Sequence, residues 1–229
     1  MSHSETAFSF INPWLENLNY DWESLYQVGI PISFLKNETI FNQNDEGDYI
    51  YIVRKGRVRL SLISQNGEEK ALAIIGVNGL LGECSLNSEM KYATNAISAS
   101  KCDLVKVERQ DFINHIHSHP ETYDHLLNLI TKKYQLLCMQ SMELSYTKAF
   151  TRVCATFIHL AKEYGQSVEE KEIKLTISFT HQEMANLLGM TRVTIANNIK
   201  WLLNESYIRK EGRHYIIKDL DALIELSYY

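Results

Sequence analysis

The stretch Thr180-His181-Gln182-Glu183-Met184-Ala185-Asn186-Leu187-Leu188-Gly189-Met190-Thr191 and the helix-forming run after it hold the side chains best suited to nucleic-acid chemistry. On a helix from Arg192 to Asn204, Ile195, Ile199 and Leu202 fall on one face, and Arg192, Val193, Ala196, Asn197 and Lys200 on the other. Arg and Asn match the hydrogen-bonding edges of guanine and adenine, whereas Val and Ala are poor choices for a face that meets only water. A helical domain that binds only other proteins is the alternative for such a face. Upstream, Thr180 with Glu183 three residues on spells a capping box for a helix over Gln182–Leu188. Ala185 is small where a second helix must approach. Gly189 supplies the left-handed turn between two crossing helices, and Thr191 can cap the second one.

Further elements frame that pair. A helix is predicted from Lys148 to Tyr164, with Phe150, Val153, Phe157, Ile158 and Leu160 on one side, then a polar loop over Gly165–Lys171 and a strand over Ile173–Ser178. Tyr207-Ile208 and Tyr215-Ile216-Ile217, separated by Glu211-Gly212, form a small hairpin with Arg209, Lys210 and Arg213 around its turn. The whole reads as a winged helix-turn-helix. From Lys148 onward the chain holds 11 Lys/Arg against 10 Asp/Glu, which leaves 12 against 18 before it. The difference favours a DNA-binding C-terminal part, but its near-neutrality predicts few phosphate contacts and a modest salt dependence.

Other chemistries find less support. Cys84, Cys102, Cys138 and Cys154 are scattered, with no C-x-x-C pair and no His at metal spacing, so idle thiols in a reducing compartment are expected, with no metal and no cofactor. An enzyme with a metal held inside a β-barrel would need several His on strands, and Ile30–Val107 contains none. His115, His117 and His119 read as a solvated helix end. With 229 residues, 45% of them hydrophobic, and a net charge of −5, the chain has ordinary globular proportions, and one large domain or two smaller ones can form. No apolar run approaches a membrane span, and Met1–Phe10 is polar and unlike a signal peptide, so a cytoplasmic protein is expected.

The N-terminal half alternates in short runs: Pro31–Phe34, Tyr49–Val53, Val58–Ile63, Ala71–Ile75 and Leu104–Val107, punctuated by Asn/Asp/Gly turns. That pattern predicts an antiparallel barrel or sandwich, with Asn66-Gly67 as a type I′ hairpin turn. The period then changes. After Pro120, the residues Tyr123, Leu127, Ile130, Tyr134, Leu137, Ser141 and Leu144 follow one another at heptad spacing without Gly or Pro. A second stripe, Leu126, Leu129, Lys133 and Leu136, gives the same helix another semi-apolar face. Two faces suit a helix that packs on its own domain with one side and on a partner helix with the other, so a homodimer is expected. An intramolecular core helix is the alternative.

With these pieces in view, the chain resembles the cyclic-AMP receptor protein/fumarate-nitrate regulator (CRP/FNR) family of bacterial transcription factors over nearly its whole length. The matching pieces are Tyr51-Ile52-Val53-Arg54-Lys55-Gly56, Gly82-Glu83, the long helix and the helix-turn-helix. Tyr92-Ala93-Thr94 and Val193-Thr194 are similar to the family's halorespiration regulators. The resemblance implies an α+β protein: residues 1–120 as an effector-sensing antiparallel β-barrel (a cyclic-nucleotide-binding-like jelly roll) with flanking helices, 121–147 as a long dimerisation helix, and 148–229 as a winged helix-turn-helix domain. It implies a DNA-binding regulator rather than an enzyme, with double-stranded DNA, a second copy of the chain, a small-molecule effector and RNA polymerase as partners.

The resemblance also carries residue roles. Arg192, Val193 and Asn197 occupy the base-reading positions, and Gln182, Thr191, Thr194 and Arg213 the phosphate-positioning ones. Family members commonly have Glu second and Arg third among the base readers. Val193 can instead contact a thymine methyl and Asn197 an adenine, so a palindromic, A/T-rich site is expected. In the sensor, cyclic-nucleotide-binding relatives carry an adjacent Arg-Ser after the Gly-Glu pair. Here Met90-Lys91-Tyr92-Ala93-Thr94 has no Arg, which disfavours a cyclic phosphate and leaves Lys91 as a point charge. The resemblance to halorespiration regulators implies an aromatic or phenolic acid, with Glu83, Tyr92, Thr94, Lys133 and Tyr134 at its site. A lysine on an apolar face can equally snorkel to water. A cyclic-nucleotide sensor and a non-sensing dimeric scaffold remain the alternatives.

Overall fold

A computed structural model describes residues 13–16 and 18–227 of the chain. The polar Met1–Phe10 stretch lies outside the described residues. In chain order the elements are β1 (Trp14–Leu15), α1 (Glu23–Tyr26), β2 (Ile30–Phe34), β3 (Thr39–Phe41), β4 (Tyr49–Lys55), β5 (Val58–Ile63), β6 (Glu69–Ile75), β7 (Leu80–Leu81), a 3-10 turn (Glu83–Leu86), β8 (Asn95–Ser98) and β9 (Cys102–Glu108). Helices α2 (Arg109–Ser118), α3 (Pro120–Tyr146) and α4 (Ala149–Tyr164) follow. The chain then runs through β10 (Gly165–Ser167), β11 (Ile173–Leu175), α5 (His181–Leu188), α6 (Arg192–Asn204), β12 (Ile208–Glu211), β13 (His214–Ile217) and α7 (Leu220–Leu226). Two compact units result, residues 13–138 and, among the described residues, 139–227. The long helix α3 begins in the first and ends in the second.

The first unit is a jelly roll of two sheets rather than a closed barrel. One has the order β1-β6-β5-β8-β3 and the other β2-β9-β4-β7. All pairings are antiparallel except β1 with β6, where Trp14↔Ile74 and Leu15↔Ile75 run parallel, a departure from the all-antiparallel expectation. Inward residues of β4, β7 and β9 (Ile50, Ile52, Leu80, Val105, Val107) meet Trp22 and Leu25 from the N-terminal segment, Phe112 and Ile116 from α2, and Leu126 and Leu129 from α3 in one core cluster. Each such buried side chain contributes about 1.5–3 kcal/mol of transfer free energy, which fixes the inner face of α3 on the sheets.

The Asn66-Gly67 turn forms a hairpin, but not of the expected type. Only Gly67 takes a positive φ, 80°. Ser64 N donates to Glu68 O at 2.9 Å and Gly67 N to Ser64 O at 2.9 Å, so a three-residue loop ends in a left-handed glycine. The predicted polar loop at Gly165–Lys171 is likewise partly strand: β10 pairs with β11 through Gly165↔Leu175, Gln166↔Lys174 and Ser167↔Ile173. In the second unit, β10, β11, β13 and β12 form one sheet beside α4, whose Val153, Cys154, Phe157, Ile158 and Leu160 are buried.

Candidate nucleic-acid interface and ligand cavity

Local sequence fixes the helix pair. Thr180 accepts a hydrogen bond from Glu183 N and Glu183 Oε2 accepts one from Thr180 N at 2.7 Å, so the capping box is complete. Gly189 then takes φ 61°, ψ 49°, and its N–H and that of Met190 both donate to Ala185 O. A side chain at that φ is strained, which is why the turn needs glycine. Thr191 caps α6 by accepting from Thr194 N at 3.1 Å. Ala185, Ile195, Ile199 and Leu202 are buried.

This packing turns the other side of α6 outward. Val193 is 68% exposed, and Arg192, Asn197 and Lys200 are exposed with it. A β-branched apolar residue with two-thirds of its surface in water is costly to leave uncovered and suits a surface that something else will cover. Around it, Gln182 is exposed and donates to Asn186 Oδ1 at 2.6 Å, and the Thr191 and Thr194 hydroxyls hydrogen-bond each other at 2.9 Å. On the wing, Gly212 (φ 58°) and Arg213 form the exposed turn between β12 and β13. The three wing cations are not equivalent. Arg209 is held by both oxygens of Glu172 (Nη2–Oε2 2.6 Å) and by Glu211, whereas Lys210 and Arg213 are exposed.

In the first unit a cavity of about 250 Å³ lies between the sheets and α3. Glu83, Tyr92, Thr94, Lys133 and Tyr134 all line it, together with apolar side chains such as Phe41, Leu60, Ile130 and Leu137. Gly82 precedes Glu83 with φ 86°, and a Cβ there would sit 2.8 Å from Tyr49 O and 2.9 Å from Tyr92 Cε1, so glycine is required beside the ring. Tyr92 stacks on Phe41 with centroids 3.9 Å apart. Its hydroxyl donates to Tyr49 O at 2.8 Å and accepts from Tyr49 N at 3.2 Å. Burial raises the Tyr92 phenol well above its ordinary range. Tyr92 therefore contributes its ring, while its hydroxyl is committed to the backbone. Lys133 Nζ donates to Glu83 Oε1 at 2.7 Å and to Leu80 O at 2.9 Å. Lys133 does not snorkel to water. Lys91, by contrast, is exposed, 3.8 Å from Glu46, and does not line the cavity.

The α3 stripes separate as their spacing predicts. Leu126, Leu129 and Leu136 are buried, whereas Tyr123, Leu127, Ile130, Tyr134, Leu137 and Leu144 are 41–67% exposed. Among the described residues, no group of three His, Cys, Asp or Glu could hold a metal, and no helix is long and apolar enough to cross a membrane. All four cysteines are free, Cys84 and Cys138 exposed and Cys102 and Cys154 buried.

Residues 31–119 match the cyclic nucleotide-binding domain family, and residues 151–226 match the Crp-like helix-turn-helix domain family. The CRP-like cAMP-activated global transcriptional regulator of Mycobacterium tuberculosis is 25% identical over 193 residues, covering 84% of this chain and 86% of that protein. The cyclic AMP receptor protein of Thermus thermophilus is 26% identical over 211 residues, covering 92% and 90%. Among solved structures, a cysteine-to-serine variant of CprK complexed with OCPA aligns with a TM-score of 0.70 at 18% identity over 89% of this chain and 91% of that one, a likeness of fold. The chain belongs to the CRP/FNR family.

As a CRP/FNR regulator it is an effector-responsive, DNA-binding transcription factor, with the sensor in the first unit and the DNA-binding head in the second. Two residues of this head escape a reading of periodicity. Arg152, on α4, donates from Nη1 to Leu188 O at 2.9 Å, closing the last turn of α5 just before Gly189. His181 Nε2 lies 3.3 Å from Tyr215 Oη, and its imidazole is held below the ordinary range by burial, then by Lys210 and Arg192. His181, Arg192 and Lys210 thus bring α5, α6 and the wing into one electropositive neighbourhood. A basic residue one position past the α5 cap was visible in the sequence. Its neighbours lie 11 and 29 residues further on, a separation that sequence spacing does not bring together.

Proposed function

We propose that this CRP/FNR regulator binds, as a homodimer, an A/T-rich inverted repeat whose half-sites lie about one helical turn apart, and that a small effector held between the sheets and α3 controls that binding. The observation that carries the reading is the outward face of α6, with Val193 68% exposed between Arg192 and Asn197. Val193 matches a thymine methyl and Asn197 the N6/N7 edge of adenine. Gln182, Thr191, Thr194 and Arg213 flank that face with hydroxyl, amide and guanidinium groups that suit phosphates. The exposed stripe of α3 supports dimerisation, because six large side chains on one helix face are unusual to leave in water. RNA polymerase is the protein partner proposed through family membership.

The matching relatives are described as cAMP-activated and as a cyclic AMP receptor. In this chain the segment 90–94 offers no arginine to a phosphate and Lys91 sits by Glu46, so an aromatic effector of phenolic type suits the cavity better. Sedimentation of the purified protein with labelled inverted-repeat DNA tests the reading. Two chains per duplex, and loss of binding when half-site spacing changes by about half a turn, are expected. One chain per duplex, or indifference to spacing, overturns the dimeric reading.

A further inference from the structure

The two charged groups of the cavity are matched to each other and the Tyr92 hydroxyl to backbone, and that constrains what can enter. The side chains of Lys133 and Glu83 are 13% and 6% exposed and 2.7 Å apart, and Lys133 gives a second hydrogen bond to Leu80 O. The donor and acceptor of the Tyr92 hydroxyl are both used on Tyr49. The rest of the wall is largely aliphatic and aromatic, with Phe41, Leu60, Leu72, Ile130, Leu136 and Leu137 surrounding about 250 Å³. Thr94 adds a hydroxyl.

We infer that the effector of this cavity is an uncharged, largely apolar aromatic molecule, and that Glu83 is the residue that turns anions away. The inference rests on the proposal that the cavity is the effector site and narrows it. An anion would enter beside a lysine whose charge Glu83 already balances, leaving a net negative charge next to a pair whose side chains are only 13% and 6% exposed, where charges interact more strongly than in water. A cation would leave a net positive one. A neutral ring meets neither cost, stacks against Phe41 and Tyr92, and can place a single polar group near Thr94.

The test uses full-length protein at pH 7 and two probes with the same ring system, 2-naphthol, which is neutral there, and 2-naphthoate, which is an anion. Titration calorimetry is expected to show wild type binding 2-naphthol at least about tenfold more tightly than 2-naphthoate. Glu83→Gln releases Lys133 from its counter-charge, and the order is expected to reverse. The double variant Glu83→Gln/Lys133→Met, which carries neither charge, is expected to show no reversal of the order, so the result does not depend on how well the single variant folds. Wild type that binds 2-naphthoate as tightly as 2-naphthol overturns the inference but leaves the effector site standing. Failure of wild type and both variants to bind either probe overturns the effector site as well.

Discussion

Replacing Lys133 with methionine tests how the sensor unit holds the deeply set Lys133–Glu83 ion pair at the cavity. Methionine keeps the length and apolar stem of lysine, so the perturbation is mainly loss of the ammonium. It leaves the Glu83 carboxylate, 6% exposed, without a cation, and Leu80 O without its side-chain donor. Removing one member of a buried pair costs about 3–5 kcal/mol, and an orphaned carbonyl about 1–3 kcal/mol more when water cannot reach it. Cavity water reaches part of this site, so a net loss of about 3 kcal/mol is expected, a large share of the ~5–15 kcal/mol that holds a domain together. Urea unfolding followed by circular dichroism and tryptophan fluorescence measures it. The double variant Lys133→Met/Glu83→Gln should recover to within about 1 kcal/mol of wild type, because neutral replacement of both members removes the unpaired charge. A single variant within about 0.5 kcal/mol of wild type would mean the pair behaves as a solvated surface pair, and the reasoning about a charge-balanced cavity would fail.

Substituting Gly189 with valine forces a β-branched residue to φ 61°, and is expected to destabilise the DNA-binding unit by about 1–3 kcal/mol and weaken operator binding in a gel-shift assay without altering the dimer. Leu127→Lys with Leu144→Lys places charges on the exposed stripe of α3 outside the cavity, so sedimentation should show at least about tenfold weaker dimerisation with little change in each unit's stability. His159 on α4 is pushed down to about 4, chiefly by burial and then by Lys162. Because the folded state resists its protonation, its contribution is complete above about pH 6.5 and falls by about 2 kcal/mol as the pH drops toward 4, so Tm should decline over that window and His159→Leu should flatten the decline.

Most of the second unit was legible because its signals are local. Thr180 with Glu183, Gly189 and Thr191 each fix a backbone event within four residues of themselves, and the structure places each in that geometry. The two stripes of α3 were legible for the same reason, since helical spacing alone separates Leu126 and Leu129 from Leu127 and Ile130. Elements that depend on distant partners were not. β8 reads Asn-Ala-Ile-Ser without clear alternation, because Asn95 is buried and satisfied by Gln43 N from the turn after β3 and by Ser61 O from β5. β10 is polar and exposed along its length, so only pairing with β11 makes it a strand. The Lys133–Glu83 pair joins residues 50 apart. Lysine on an apolar stripe allows either snorkelling to water or a charge offered to an effector, and only the fold brings Glu83 beneath it. Arg209 was grouped with the wing cations by position, but its tie to Glu172 crosses from β12 to the residue before β11, which sequence spacing does not encode.

Selection of binding sites from random DNA by wild type and by Asn197→Arg bears most directly on the outward face of α6. Wild type should return an inverted repeat with an A/T-rich core. The variant should exchange adenine for guanine at one symmetric pair of positions and leave the others alone, since Arg pairs with O6/N7 of guanine where Asn pairs with N6/N7 of adenine. A G/C-rich wild-type core, or two identical consensus sequences, would contradict the placement of Asn197 on the bases.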